Sequence, residues 1–189
     1  MQKEQFILKL YKTKSTVFTI QEIALLFGET QRANLKAKIN YYVKNGLLKN
    51  VRKGFYAKPD YDQLELAAKI YTPSYISLET VLTKEGVIFQ YYENIFVVSY
   101  LNRIIEVDKT KIQYKKIKNS ILLNSKGIIQ KENYAIATKE RAFLDALYFY
   151  KNYYFDNVKV LDKKKIASLL PIYMSKKLSE KVKEIFSNA

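Results

Sequence analysis

Glycine is scarce in this chain, 5 in 189 residues, and Gly28, Gly46 and Gly54 divide one short N-terminal stretch into distinct elements. Thr19, followed at the third position by Glu22 and then by Ile23, Leu25, Leu26 and Phe27, has the pattern of a capping box opening a short helix that ends at Gly28. From 31 to about 45, Leu35, Ile39, Tyr42 and Val43 recur at i, i+4, i+7 and i+8, which predicts a second helix with one apolar face, closed by Gly46. The run LLKNVRKGFYA then reads as two short strands, 47–51 and 55–57, joined by a tight turn at Lys53 and Gly54. A further helix over 5–10, carrying Phe6, Ile7 and Leu10, precedes them. Three helices and a hairpin in this order are the parts of a winged helix-turn-helix, expected over residues 1–58.

Charge follows the same division. Residues 1–58 hold 12 Lys or Arg against 3 Asp or Glu, net +9, whereas residues 59–189 hold 21 against 15, net +6, within a total of +15. Such a concentration of positive charge suits a polyanion, although Lys is also an ordinary surface residue, so placement matters more than total. On the 31–45 helix, the side opposite the apolar face carries Asn34, Tyr41 and Lys44, with Arg32, Lys36 and Lys38 on its flanks, Gln31 at the entry and no acid.

A helix of this kind fits the roughly 12 Å wide major groove of duplex DNA, and the hairpin tip would bring Arg52 and Lys53 to the neighbouring backbone. Gln31, Arg32 and Asn34, near the helix start, are the candidates for reading base edges, because Arg pairs bidentately with guanine and Asn with adenine. Thr30, Lys36, Lys38, Tyr41, Lys44, Arg52 and Lys53 are the candidates for phosphate contacts, which position a protein without specifying sequence. A solvated charged face, or a winged helix that binds protein, is the plainer alternative.

Residues 59–189 are expected to form a second, α+β domain of antiparallel sheet covered by helices. A connecting helix is expected over 60–70, and Pro73 restarts the chain in extended form. Ser77 has the type and position of an N-cap for a helix over 78–84 ended by Gly86, with the Ser74 and Tyr75 hydroxyls assigned to capping and packing. Between 87 and 136 the runs VIFQYY, IFVVSY, RIIEV, KIQYKKI and YAIA are rich in β-branched and aromatic residues and separated by polar turns. Thr138 should cap a helix over 139–150 with the apolar stripe Ala142, Phe143, Ala146, Leu147 and Tyr150. Asp162 and Ser175 look like the caps of two last helices, parted by Pro171, and the aromatic cluster YFYKNYYF at 148–155 reads as core or partner surface.

Two stretches, YTPSYISLETVL at 71–82 and AIATKERAFLD at 135–145, resemble the AbiEi family of antitoxins from type IV toxin-antitoxin, or abortive infection, systems. The similarity extends to the order of parts, including NGLLKNVRKGFYA in the N-terminal domain, and covers about 19–150; the usual wing is Arg-rich, whereas this one has Lys49, Arg52 and Lys53. The resemblance implies an antitoxin that represses its own operon by binding inverted-repeat operator DNA, in a chain whose sequence, with no span-length apolar run and too short an apolar stretch for a signal peptide, is expected to be cytoplasmic. It also implies a C-terminal domain that counters a nucleotidyltransferase-type toxin without a stable complex. Residues beyond 150 match nothing in that pattern.

His 0 and Cys 0 exclude imidazole and thiolate ligands, Cys nucleophiles and every Ser-His or Cys-His arrangement. The best remaining acidic set is Glu106 and Asp108 beside Lys109 and Lys111, which strand alternation would place on one face able to hold Mg²⁺. No Gly-rich phosphate loop or second acidic pair accompanies it, so the expectation is a non-enzyme with no catalytic residues, no metal and no cofactor. No run approaches the roughly 18 apolar residues of a membrane span. The rival reading is a transcriptional regulator whose C-terminal domain senses a ligand or binds a partner, with no toxin involved.

Overall fold

Thr19 starts its helix as expected: its Oγ1 accepts the Glu22 backbone N–H at 3.1 Å, while Glu22 Oε2 accepts the Thr19 N–H at 2.6 Å. In the computed structural model, which describes residues 3–29 and 31–187, this helix is one element of a mixed α+β architecture. The chain divides into two compact units, residues 1–66 and 67–189.

The N-terminal unit runs α1 (Lys3–Lys12), β1 (Val17–Thr19), α2 (Ile20–Phe27), α3 (Arg32–Lys44), β2 (Lys49–Arg52) and β3 (Phe55–Ala57). Its sheet has the order β1-β3-β2, with Val17 opposite Ala57 and Thr19 opposite Phe55. The second strand, expected over 47–51, is shifted because Leu48 turns into the core; β2 pairs Asn50 with Tyr56 and Arg52 with Phe55, leaving a bulge between them. Lys53 and Gly54 form the two-residue tip, with Gly54 at φ +83°. The core joins Phe6 and Leu10 of α1, Ile23 of α2, Leu35, Ile39 and Tyr42 of α3, and Phe18, Leu48 and Tyr56. Phe6 stacks on Phe27 at 4.1 Å and on Tyr42 at 5.3 Å.

β1 was not expected, and the residue that secures it is fully buried Glu65. Its carboxylate accepts the backbone N–H groups of Thr16 at 2.9 Å and Val17 at 3.3 Å, together with the Thr16 hydroxyl at 2.6 Å. A carboxylate spent on backbone donors in this way replaces its water and fixes the strand's entry.

Then follow α4 (Gln63–Ile70), β4 (Ser74–Ile76), α5 (Glu79–Lys84), β5 (Ile95–Ser99), β6 (Arg103–Val107), β7 (Thr110–Lys116) and α6 (Asn119–Leu122). The chain continues with β8 (Ile128–Gln130), β9 (Ala135–Ala137), α7 (Lys139–Phe149), α8 (Lys163–Leu169) and α9 (Lys176–Ser187), with short 3-10 turns at Val158–Val160 and Leu170–Tyr173. The division between units falls inside α4.

The six-stranded sheet has the order β6-β7-β5-β4-β9-β8 and is mixed, which corrects the expected antiparallel sheet: β5 runs parallel to β7 and β4 parallel to β9. All five residues of β5 are buried, as befits a central strand, and the β6–β7 hairpin folds back so that β7 lies beside it. The run VIFQYY forms no strand. Its backbone is engaged elsewhere: Val87 donates to Leu82 O and accepts from the Asn157 N–H, and the Phe89 N–H donates to Asp156 at 2.8 Å.

Candidate nucleic-acid interface

α3 turns Leu35, Ile39 and Tyr42 inward and leaves Gln31, Arg32, Asn34, Lys36, Lys38, Tyr41 and Lys44 exposed. Lys53 is exposed at the hairpin tip, Arg52 is half-buried, and Thr30 lies outside the described residues. Arg32, Lys36 and Lys44 meet no carboxylate among the described residues, which leaves their charge directed to solvent. The Tyr41 ring sits edge-on to Tyr42 at 5.3 Å, so it is held by the core residue beside it.

The helix face is not free of acid in three dimensions. Glu29, in the turn before α3, places Oε2 at 3.3 Å from Lys38 Nζ, and its Oε1 accepts the Gln31 backbone N–H at 3.2 Å. The Gln31 N–H and the Lys38 ammonium together hold the Glu29 carboxyl below its usual range. Gln31 and Asn34 are also joined, Asn34 Nδ2 donating to Gln31 Oε1 at 2.6 Å. Counting charges along the helix alone missed Glu29; its place nine residues before Lys38 put it on another element.

The C-terminal unit contains a second polar assembly. Arg141 and Asp145, one helical turn apart in α7, are both fully buried. Arg141 Nη1 donates to Lys126 O and Nη2 to Ile121 O, each at 2.8 Å, and Nε lies 3.6 Å from Asp145 Oδ1. Asp145 also accepts from the Ser77 hydroxyl at 2.8 Å, the Tyr75 hydroxyl at 3.2 Å and the Tyr173 hydroxyl at 2.6 Å. Burial pushes the Asp145 carboxyl up, against the opposing pull of Arg141 and the three hydroxyls, and pushes both phenols well above their ordinary value. With every member interior, the assembly ties α7 to β4, to the turn at Leu170–Tyr173 and to the carbonyls of Ile121 and Lys126.

Ser77 therefore does not cap α5. Leu78 occupies that position at φ +56°, ψ −139°, and the Ser77 hydroxyl goes to Asp145 instead. The next residue, Glu79, is buried with its Oε2 lacking a hydrogen-bond partner among the described residues. Burial raises its carboxyl, opposed by Tyr150, Lys115 and Tyr153.

Glu106 and Asp108 do not share a strand face. β6 ends at Val107, and Asp108 and Lys109 form the turn, at φ +47° and +67°. Among the described residues no group of three Asp or Glu side chains is placed to hold a metal ion. The aromatic cluster splits: Phe155 is buried against Phe143, Tyr150 stacks on Tyr153, and Tyr154 is 81% exposed. A cleft of about 1180 Å³ opens there, lined by Leu147, Tyr153, Tyr154, Lys177, Lys181 and Ile185 among others. No helix among the described residues is long and apolar enough to cross a membrane.

Neither the models of known protein families nor the curated proteins contain a match to this chain.

Proposed function

We propose that the chain is a cytoplasmic antitoxin of a type IV toxin-antitoxin system, similar to the AbiEi family, and that it acts by binding rather than by catalysis. Its N-terminal unit is read as a winged helix-turn-helix that represses the chain's own operon by binding inverted-repeat operator DNA. Its C-terminal unit is read as countering a nucleotidyltransferase-type toxin without a stable complex. The observation that carries the DNA half is α3, which buries Leu35, Ile39 and Tyr42 and leaves Asn34 and Lys44 exposed on the opposite side with Arg32 and Lys36 exposed on its flanks. The sheet order β1-β3-β2, with the Lys53–Gly54 tip beside that helix in sequence, supports the winged arrangement.

The antitoxin half is supported by the two stretches that carry the resemblance. Tyr75 and Ser77 of the first meet Arg141 and Asp145 of the second in one buried network, so both stretches serve one structural purpose. The cleft beside Tyr154 favours a second reading, a regulator whose C-terminal unit takes a ligand.

One experiment separates these. DNA from the chain's own promoter is titrated across a salt series, and the triple variant R32A/K36A/K44A is compared with wild type for repression and for protection of cells from the neighbouring toxin. Lys36, Lys44, Arg52 and Lys53, the cations assigned to phosphate and not engaged by an acid among the described residues, predict a log–log salt slope of about −3.6. The triple variant should lose repression and keep protection. Salt-independent binding removes the DNA reading, and absence of protection by wild type removes the antitoxin reading in favour of the regulator.

A further inference from the structure

Gln31 stands at the N-cap of α3, where a side-chain oxygen ordinarily accepts a backbone N–H of the first turn, yet it makes no such bond. Its Oε1 instead accepts from Asn34 Nδ2 at 2.6 Å. The Gln31 backbone is itself held, through its N–H, by Glu29 Oε1 at 3.2 Å, and Glu29 is held by Lys38. Both amide side chains are exposed, so this bond covers no buried group, and it forgoes the cap that would have stabilised the helix. What it does accomplish is to fix the orientation of the Asn34 amide.

An asparagine amide offers two N–H donors and one carbonyl oxygen. With one N–H given to Gln31, Asn34 retains Oδ1 as an acceptor and one N–H as a donor. In the major groove adenine presents the matching pair, the N6 amino donor beside the N7 acceptor, whereas guanine presents two acceptors. Gln31, with one lone pair of its oxygen engaged, offers that atom to a base less readily than its free N–H donors. We infer that Asn34 reads an adenine in the major groove and that Gln31 is the positioning residue that sets its amide beforehand, an assignment that rests on the duplex-binding reading above.

The test uses the full chain and a pool of randomised duplexes. Wild type, N34A, Q31M and Q31E are each carried through selection, and the enriched base at every position is read by sequencing. Wild type is expected to enrich an adenine that N34A no longer enriches. Q31M, which keeps length but cannot accept the bond, should relax that preference by about tenfold. Q31E, which can still accept the bond, should keep the preference at lower overall affinity. An adenine preference undiminished in Q31M overturns the positioning role. A preference that N34A leaves intact overturns the assignment of the reader while duplex binding stands. Failure of wild type to retain any duplex at low salt removes the duplex-binding reading itself and this inference with it.

Discussion

Lys38 and Glu29 form an ion pair with Nζ 3.3 Å from Oε2, so a cation counted among the phosphate contacts is engaged within the protein. Replacing Glu29 with Gln leaves the Gln31 N–H an acceptor and frees the Lys38 charge. E29Q is expected to bind duplex more tightly than wild type and to steepen the log–log salt slope by about 0.9, the contribution of one more neutralised phosphate. Titrations of both proteins at several salt concentrations check this; parallel slopes would assign Lys38 no phosphate.

The Arg141–Asp145 pair predicts an order of stabilities. Removing one partner of a buried pair leaves an uncompensated charge, so Arg141→Met should cost on the order of 3–5 kcal/mol. The double replacement R141M/D145L should cost less than R141M alone, because no charge is left behind. Tyr173→Phe deletes one hydrogen bond to a charged group, about 1.5–3 kcal/mol. Urea denaturation of the full chain measures all three, and a double variant as unstable as R141M or more so would contradict the pairing.

Leu78 combines complete burial with a backbone region that suits glycine. A buried Leu→Ala change costs about 2–5 kcal/mol in general, whereas relief of backbone strain is worth about 1–3 kcal/mol. Leu78→Gly should therefore destabilise the chain less than the same change at Leu82, which is equally buried in regular helix. Equal losses of melting temperature at the two sites would deny the strain.

Glu79 predicts a pH dependence. Its carboxyl is raised by burial above its ordinary value of 4.5, so the folded chain keeps a proton that the unfolded chain releases. The stability this group contributes is complete below that ordinary value and is lost as pH rises through the raised folded value. Glu79→Gln has no proton to lose, so its melting temperature should gain on wild type as pH climbs from acid to neutral. A difference between the two that stays constant with pH would place the charge of Glu79 in water.

Much of the N-terminal unit was legible because its signals are local. The Thr19–Glu22 box, the 3.6-residue spacing of Leu35, Ile39 and Tyr42, and the Lys53–Gly54 tip each depend on residues a few positions apart. β1 escaped because its three residues owe their place to Glu65, almost fifty positions away. Parallel pairing of β5 with β7 was hidden because a run such as IFVVS specifies burial but not direction. On α7, Ala142, Phe143, Ala146 and Leu147 of the expected stripe are buried, whereas the burial of Arg141 and Asp145 was not anticipated. Their spacing of four, beside Ala142 and Ala146, was the available sign that they face the interior. The α3 face was legible in its exposure, while the Lys38–Glu29 and Asn34–Gln31 contacts required the turn's shape.

Tyr173 lies in the stretch beyond 150 that the resemblance does not cover, yet its phenol reaches Asp145 at 2.6 Å. Divergent versions of this chain consequently inherit a constraint: the tail cannot be shed piecemeal. A lineage that discards it must either recruit another hydroxyl for the carboxylate or retire the arginine and the aspartate in concert.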